Sequence, residues 1–373
     1  MNVEFRVMTG TPHAFHGGAS FEAIGTDFAD LARRTEVIDA DVLDAWYPPA
    51  PEVVAEIHAH LEWLMKTSPP THGDGLRAAI AAMPDLTPAH ILLGSGTSSL
   101  MYHALPQLVQ RGQRVCLLDP MYGEYDHLCG QVIGAEIVRA ELSEADAFAP
   151  DPDQIAKAAQ GCRLLIMVNP NSPTGRKLSS EGLQRLLSQL PQDITVWIDE
   201  TYIDFAPGVP SAEPLVATDP RLIVCKSMSK FFGLSGLRVG YLAADPARIA
   251  PWEAYSPPWS VGLLAQVAAV RALQHYSYYA QRAEETHRLR NDLAQELSQI
   301  PGLEPLPSDT NFLLIRTQRP AAELVAQLRE RNLFWRDCDS LSPRFQGRYV
   351  RTAVKDAATN QRMVQIVRDV MRG

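Results

Sequence analysis

The segment Leu222-Ile223-Val224-Cys225-Lys226-Ser227-Met228-Ser229-Lys230 runs from an apolar stretch straight into a group of two lysines and two serines, and Arg238 follows eight residues after Lys230. Leu222–Cys225 has the length and the branched residues of a buried strand, so the polar residues after it mark that strand's carboxyl end. The same signature recurs at Val115–Leu118, Leu164–Val168 and Val196–Ile198. Helix-length amphipathic stretches lie between, such as Glu181–Gln189 with Leu183, Leu186 and Leu187 on one face. Strands alternating with helices predict βαβ units and a mainly parallel sheet flanked by helices, an α/β fold. Ligands of such sheets collect at the carboxyl ends of the strands, so that is where the chemistry belongs.

Length and composition frame this reading. A chain of 373 residues corresponds to two domains at roughly 150 residues each. A 46% hydrophobic and 21% charged chain is an ordinary globular protein, long enough to fold without disulfides or structural metal. The net charge of −9 argues against nucleic acid or an anionic membrane as partner. Cys116, Cys129, Cys162, Cys225 and Cys338 are odd in number and form no CxxC, so no metal site is expected and reduced, cytoplasmic thiols fit best. Met1–Gly10 carries Glu4 and Arg6 and no apolar core, unlike a signal peptide, and no apolar run has membrane-spanning length. The expected organisation is an N-terminal segment, 1–45, joining a small domain; a large domain, 46–275; and a small α+β domain, 276–373. The last contains a long charged helix at Tyr276–Ile300, strands at Phe312–Ile315 and Tyr349–Val354, and helices at Ala321–Glu330 and from about Ala358. Trp46–Pro51, with three prolines, reads as a rigid extended stretch.

Five polar constellations sit at or beside the expected strand ends. Gly94-Ser95-Gly96-Thr97-Ser98-Ser99 precedes a helix from about Leu100: glycines allow close approach, and the helix start offers free N–H groups for a phosphate. The same residues also make an ordinary helix cap. Lys226–Lys230 with Arg238 suits an anion, and a lysine in an apolar setting can join a carbonyl; a solvated basic turn would look alike. Asp199-Glu200-Thr201-Tyr202 offers a carboxylate for a protonated heterocyclic nitrogen and a phenol three residues later, or simply a capping Asp with a core Tyr. Asn169-Pro170-Asn171-Ser172-Pro173-Thr174-Gly175 is a rigid polar loop, and Asp119–Tyr125 sets Tyr122 past another strand, where core packing is the alternative.

Together, in this order, the set resembles the fold-type I pyridoxal-phosphate enzymes, the aspartate aminotransferase superfamily. KSMSKFFGLSGLRVGY (226–241) resembles the histidinol-phosphate aminotransferase and threonine-phosphate decarboxylase branch, as do His16-Gly17-Gly18, Asn311–Leu314, Arg336-Asp337-Cys338 and Gly347–Arg351. The resemblance implies pyridoxal 5′-phosphate as cofactor. Lys230 would join its aldehyde and later move a proton. Asp199 would pair with the ring nitrogen, Tyr202 would hydrogen-bond the ring hydroxyl oxygen, and Tyr122 would stack on the ring. Gly96, Thr97, Ser98, Ser227, Ser229 and Arg238 would hold the phosphate. Arg351 would clamp a substrate carboxylate, with Arg336 as a second anion contact and His16 a further active-site candidate. Lys226 competes with Lys230, but the motif's frame favours Lys230. A homodimer is implied, because such active sites sit at a dimer interface.

The departures are specific. The family's Asn before Pro-Thr-Gly is Ser172 here, so the ring-oxygen contact is weakened or passes to Asn171 or Asn169. The family's Asn-x-Asn-Pro-Tyr-Gly-Pro appears as Leu43-Asp44-Ala45-Trp46-Tyr47-Pro48-Pro49, and its Tyr-Pro-Asp-Pro as Ser68-Pro69-Pro70-Thr71. Trp46 and Tyr47 are therefore expected to make the substrate pocket bulkier, against histidinol phosphate itself. The leading expectation is an aminotransferase acting on an amino acid or related amine. The alternative is decarboxylation or other chemistry at Cα, such as oxidation or elimination. A non-catalytic binding protein is disfavoured by Lys230 and Asp199.

Overall fold

The computed structural model describes residues 16–372, so the expectation for Met1–Gly10 lies outside the described residues. Seven strands form the larger sheet: β1 (Ile91–Gly94), β2 (Arg114–Asp119), β3 (Glu136–Glu141), β4 (Leu164–Val168), β5 (Thr195–Asp199), β6 (Leu222–Ser227) and β7 (Gly240–Ala244). Their order is β1-β7-β6-β5-β4-β2-β3. Five neighbours run parallel, with Leu164 opposite Thr195 and Val196 opposite Leu222. β7 is antiparallel to both β6 and β1. Every residue of β4, β5 and β6 is buried. That burial on two faces explains why these strands are unbroken apolar runs rather than alternating ones.

β6 is longer than its apolar run suggests. Pairing of Lys226 with Tyr241 and of Ser227 with Gly240 keeps it extended through Ser227. Lys226 is therefore a strand residue, and its side chain points away from the face that Ser227 occupies. Pro51 also departs from expectation. It opens the helix Pro51–Lys66 rather than extending the preceding stretch, because proline's fixed φ and missing N–H suit a helix's first turn.

The second sheet is antiparallel: β8 (Leu303–Pro305), β9 (Phe312–Thr317), β10 (Arg336–Asp337) and β11 (Tyr349–Ala353), in the order β10-β11-β9-β8. The long helix Tyr276–Ser298 leads into it, and helices Ala321–Arg329 and Ala357–Arg372 accompany it. Residues near the start of the described chain join this part: Ile38–Asp39 pairs in parallel with Leu333–Phe334, and the Ala353 N–H donates to the Ala40 carbonyl. The result is the expected α/β architecture with a smaller α+β part.

Candidate active site

Val168, Asp199 and Ser227, the last residues of β4, β5 and β6, all line one cavity of about 240 Å³. The parallel strands thus deliver their ends to a common place. β11 reaches it through Arg351, and the chain before the helix Pro51–Lys66 through Asp41, Val42 and Leu43.

One end of the cavity is an anion cup. Gly96 caps the helix Thr97–Leu108 at φ 82°, and a Cβ there would lie 2.5 Å from Arg238 Nη2. Only glycine meets both conditions. A Cβ on Gly240 would lie 2.9 Å from the Thr97 nitrogen, so a second glycine lets β7 approach the helix start. Thr97, Ser98, Ser227, Ser229 and Arg238 all line this cavity. A helix N-terminus, hydroxyls and a guanidinium make a site for a phosphate dianion.

The floor centres on Asp199, which is 4% exposed. Its Oδ2 accepts from the Tyr125 hydroxyl at 2.7 Å, and its Oδ1 accepts from the Thr201 N–H and hydroxyl at 2.9 and 2.7 Å. The Trp197 indole N–H donates to the same Tyr125 oxygen at 2.9 Å. Burial pushes the Asp199 carboxyl up, opposed by the bonds from Thr201 and Tyr125. Desolvation favours the neutral acid; a cation placed against the carboxylate reverses that preference. Tyr122 and Tyr202 line the cavity, and burial raises both phenols, so both remain neutral hydroxyls. The Tyr202 ring stands edge-on to Phe312 at 5.1 Å.

The two lysines are separated cleanly. Lys230 lines the cavity, and its Nζ is 2.9 Å from Asp44 Oδ1, which also accepts from the Ser235 hydroxyl at 2.6 Å. Lys226 is absent from the lining and is buried among Glu200, Asp204 and Glu213. At the other end, Arg351 donates from Nη1 to Ser172 Oγ at 3.2 Å and from Nη2 to the Asp41 carbonyl at 3.0 Å. His16 lines the mouth, its Nε2 2.6 Å from Glu124 Oε2, and Tyr102 donates to the other Glu124 oxygen at 2.7 Å.

Several expected positions fall elsewhere. Trp46 and Tyr47 do not line the cavity. The Tyr47 hydroxyl donates to the Phe231 carbonyl at 2.7 Å, and the Trp46 indole N–H to Thr286 Oγ1 at 2.9 Å. Trp46 thus binds to the helix Tyr276–Ser298 through Thr286, and Tyr47 to Phe231 and, ring against ring, to Tyr278 and Tyr279 of that helix, so they do not make the pocket bulkier. Asn171 is likewise turned away: its Nδ2 donates to the Pro120 carbonyl and Thr174 Oγ1 at 2.9 and 3.0 Å. Asn169 closes the loop on Leu178 through both amide atoms. Neither asparagine replaces the family residue; Ser172 alone of the three faces the cavity. Arg336 stands opposite Arg351 in the β10–β11 register and is 4% exposed, but it does not line the cavity. Burial, then the neighbouring Arg351 charge, lowers its guanidinium.

Residues not singled out from the sequence complete the site. Tyr125 lies one helical turn beyond Tyr122, a spacing that could have flagged it. Asp44 lies within the altered Leu43–Pro49 loop, yet nothing local ties it to Lys230, 186 residues away. Glu124 lies within Asp119–Tyr125 and Thr201 within Asp199–Tyr202, but their partners are set by packing.

This set fits pyridoxal 5′-phosphate. The cup suits its phosphate, and the lysine its aldehyde. Among the described residues, no cation is within ion-pair distance of the buried Asp199 carboxylate, which suits a protonated ring nitrogen.

Comparisons with known proteins agree. A histidinol-phosphate aminotransferase from Dechloromonas aromatica is 34% identical over 297 residues, 78% of this chain and 81% of that one. A threonine-phosphate decarboxylase from Salmonella typhimurium is 31% identical over 303 residues, 80% and 81% of the two chains. Among solved structures, the histidinol-phosphate aminotransferase of Sinorhizobium meliloti, in complex with pyridoxal-5′-phosphate, superposes with a TM-score of 0.81 at 22% identity, covering 91% of this chain and 93% of that one. The family model for aminotransferase class I and II matches residues 42–367. With the cup, the buried carboxylate and the lysine in one cavity, the chain belongs to the aminotransferase class I and II family and is a pyridoxal-phosphate-dependent enzyme.

Proposed function

We propose that this aminotransferase acts on an amino acid whose α-carboxylate is received by Arg351 while its amine reaches the cofactor at Lys230. The observation that carries this reading is the shared cavity, lined by Arg351, Lys230, Asp199, Arg238 and Thr97 at the helix start. Bound there, pyridoxal phosphate supplies an electron sink for the substrate Cα. The protein's part is placement. The cup would hold the phosphate, Asp199 would pair with the ring nitrogen, and Tyr202 and Ser172, which line the same cavity, would offer hydroxyls to the ring oxygen. Lys230 takes or gives the proton at Cα, and Arg351 sets which bond of the substrate faces the ring. Arginine's planar fork matches a carboxylate at two points. Three further parts of the reading are a large unit at 46–275 with a small one at 276–373, a cytoplasmic location, and a homodimer.

Among the described residues no helix is long and apolar enough to cross a membrane. Exposed apolar side chains support the dimer: Leu61, Trp63 and Met65 on the helix Pro51–Lys66, Tyr255 at the end of the helix Pro246–Tyr255, and Trp259 in the loop after it. Thr71 lines a pocket with Ser260 and Val261 rather than the main cavity, which leaves the Ser68–Thr71 loop available to a neighbour's site.

The test is a panel of amino acids and phosphorylated amines mixed with the holoenzyme. A substrate should convert the cofactor's absorbance to that of its amine form and release a keto acid or aldehyde, and added keto acid should reverse the change. Release of carbon dioxide without that conversion would assign decarboxylation instead. An active monomer in sedimentation velocity would remove the dimer from the reading.

A further inference from the structure

Adjacent residues of a strand face opposite sides, so the partners of the cofactor-facing residues point into a second compartment. Lys226 precedes Ser227 on β6, and Glu200 follows Asp199 at the end of β5. Lys226 Nζ lies 3.2 Å from Asp204 Oδ2, 3.6 Å from Glu213 Oε2 and 3.8 Å from Glu200 Oε2. Lys226, Glu200 and Glu213 are each no more than 5% exposed. Tyr241 on β7 donates to Glu213 Oε1 at 2.9 Å, and Tyr276, first residue of the long helix, donates to Asp204 Oδ1 at 3.2 Å. Three carboxylates thus face one lysine, with no other cation within ion-pair distance among the described residues.

With both Glu200 and Glu213 ionised, a single hydroxyl hydrogen is left to serve two anionic oxygens. Ser211 Oγ sits 2.5 Å from Glu200 Oε2 and 3.0 Å from Glu213 Oε2. A hydroxyl has one hydrogen, and an ionised carboxylate only accepts. A carboxyl that donates to Ser211 gives each contact its own hydrogen, where two ionised carboxylates would have to share one. Both Glu213 oxygens have donors, Tyr241 on Oε1 and Ser211 on Oε2, and the Glu213 N–H itself donates to Ser211 Oγ at 3.1 Å. Glu200 Oε1 accepts the Ala212 N–H at 2.7 Å, which leaves Oε2, with the shorter contact, to carry the proton. The chain then closes: Glu200 donates to Ser211, and Ser211 donates to Glu213.

We propose that Glu200 holds a proton in this compartment and that the Glu200–Ser211–Glu213–Lys226–Asp204 cluster is a positioning device for the cofactor cavity, fixing the ends of β5 and β6 that carry Asp199 and Ser227. Burial pushes the Glu200 carboxyl up to about 7, with Lys226 opposing and Glu213 adding to the rise. When that proton leaves, the compartment gains a negative charge beside the Glu213 and Asp204 side chains. Its members repel, and the strand ends lose their fixed spacing. Cofactor retention therefore weakens as pH rises through neutrality. The part concerning the cofactor rests on the reading given under Proposed function; the buried proton does not.

Two measurements separate these. Infrared difference spectra of cofactor-free protein between about pH 6 and about pH 8.5 should show the C=O stretch of a buried carboxylic acid, lost in Glu200→Gln. An absent band, or one that persists in Glu200→Gln, overturns the proposal whether or not the protein binds pyridoxal phosphate. In the holoenzyme, cofactor release should quicken about tenfold over the same range, as expected for roughly one unit between the loaded and free states. Glu200→Gln, the neutral isostere of the protonated acid, should flatten that dependence. A wild-type-like slope in Glu200→Gln overturns the positioning role. Should that variant fail to fold, Ser211→Ala keeps the test open: it breaks the hydroxyl bridge and should move the acid band and the slope together, and no movement of either overturns the proposal.

Discussion

Replacing Arg351 by alanine tests the substrate end of the cavity directly. The guanidinium is half-buried on β11, held by two neutral acceptors, Ser172 Oγ and the Asp41 carbonyl, and lies 5.7 Å from the Phe312 ring centre. Nothing anionic is bonded to it among these contacts, so an incoming carboxylate meets an uncompensated charge. Two unit charges at about 4 Å and an effective dielectric near 20 attract by about 4 kcal/mol, and alanine forfeits most of that. At about 1.4 kcal/mol per decade, kcat/KM should fall by about two to three orders of magnitude. The assay is steady-state turnover of the best amino acid, beside the matching amine that lacks a carboxylate. The amino acid should lose the full factor and the amine almost nothing. Arg351→Lys should restore only part, since an ammonium cannot offer the two-point fork. Bound cofactor should stay at wild-type content, because its phosphate is held at the other end. An unchanged kcat/KM for the amino acid in Arg351→Ala, or an equal loss for the amine, would falsify the assignment. A selective loss in Arg336→Ala instead would move the anchor to its buried neighbour.

Lys230→Ala should abolish the borohydride-reducible adduct with the cofactor, and peptide mapping of the reduced wild type should mark Lys230; a label on Lys226 would contradict the cavity geometry. Asp199→Ala should retain cofactor while slowing exchange of the substrate's Cα proton in deuterated water by about two or more orders of magnitude, as expected when about 3 kcal/mol of charge pairing at a buried site is lost; an unchanged rate removes Asp199 from the ring nitrogen. Gly96→Ala places a Cβ 2.5 Å from Arg238 Nη2 at a φ of 82°. It should weaken cofactor affinity at least about tenfold, with strain of about 1–3 kcal/mol; wild-type affinity by equilibrium dialysis would show that the cup tolerates displacement of Arg238.

The alternating strand and helix pattern was legible because each β4–β6 segment is buried on both faces and so carries its signal in consecutive residues. The anion cup was legible for a related reason: Gly96, Thr97 and Ser98 act within one turn, and Lys230 and Arg238 flank another. Errors arose where a side chain's partner lies far along the chain. Trp46 and Tyr47 are expected as pocket walls from their bulk and their place in the altered Leu43–Pro49 loop, but Thr286 and Phe231 draw both away. Asn171 and Asn169 are both expected candidates for the ring contact, and loop closure on Pro120 and Thr174, and on Leu178, turns the two amides elsewhere.

The sequence by itself determined the order of strand ends, the identity of the family and the chemical types present at each end, because those follow from local periodicity and from motifs a few residues long. Tertiary structure alone decided which side chains share a compartment. It set Lys230 in the cavity with Asp44 and Lys226 behind the sheet with three carboxylates, and it placed Tyr125 and Thr201 on Asp199. The physical reason is that β7 pairs with β6 two residues past its apolar run, fixing which face each lysine takes, and no local property of the residues around them records that pairing.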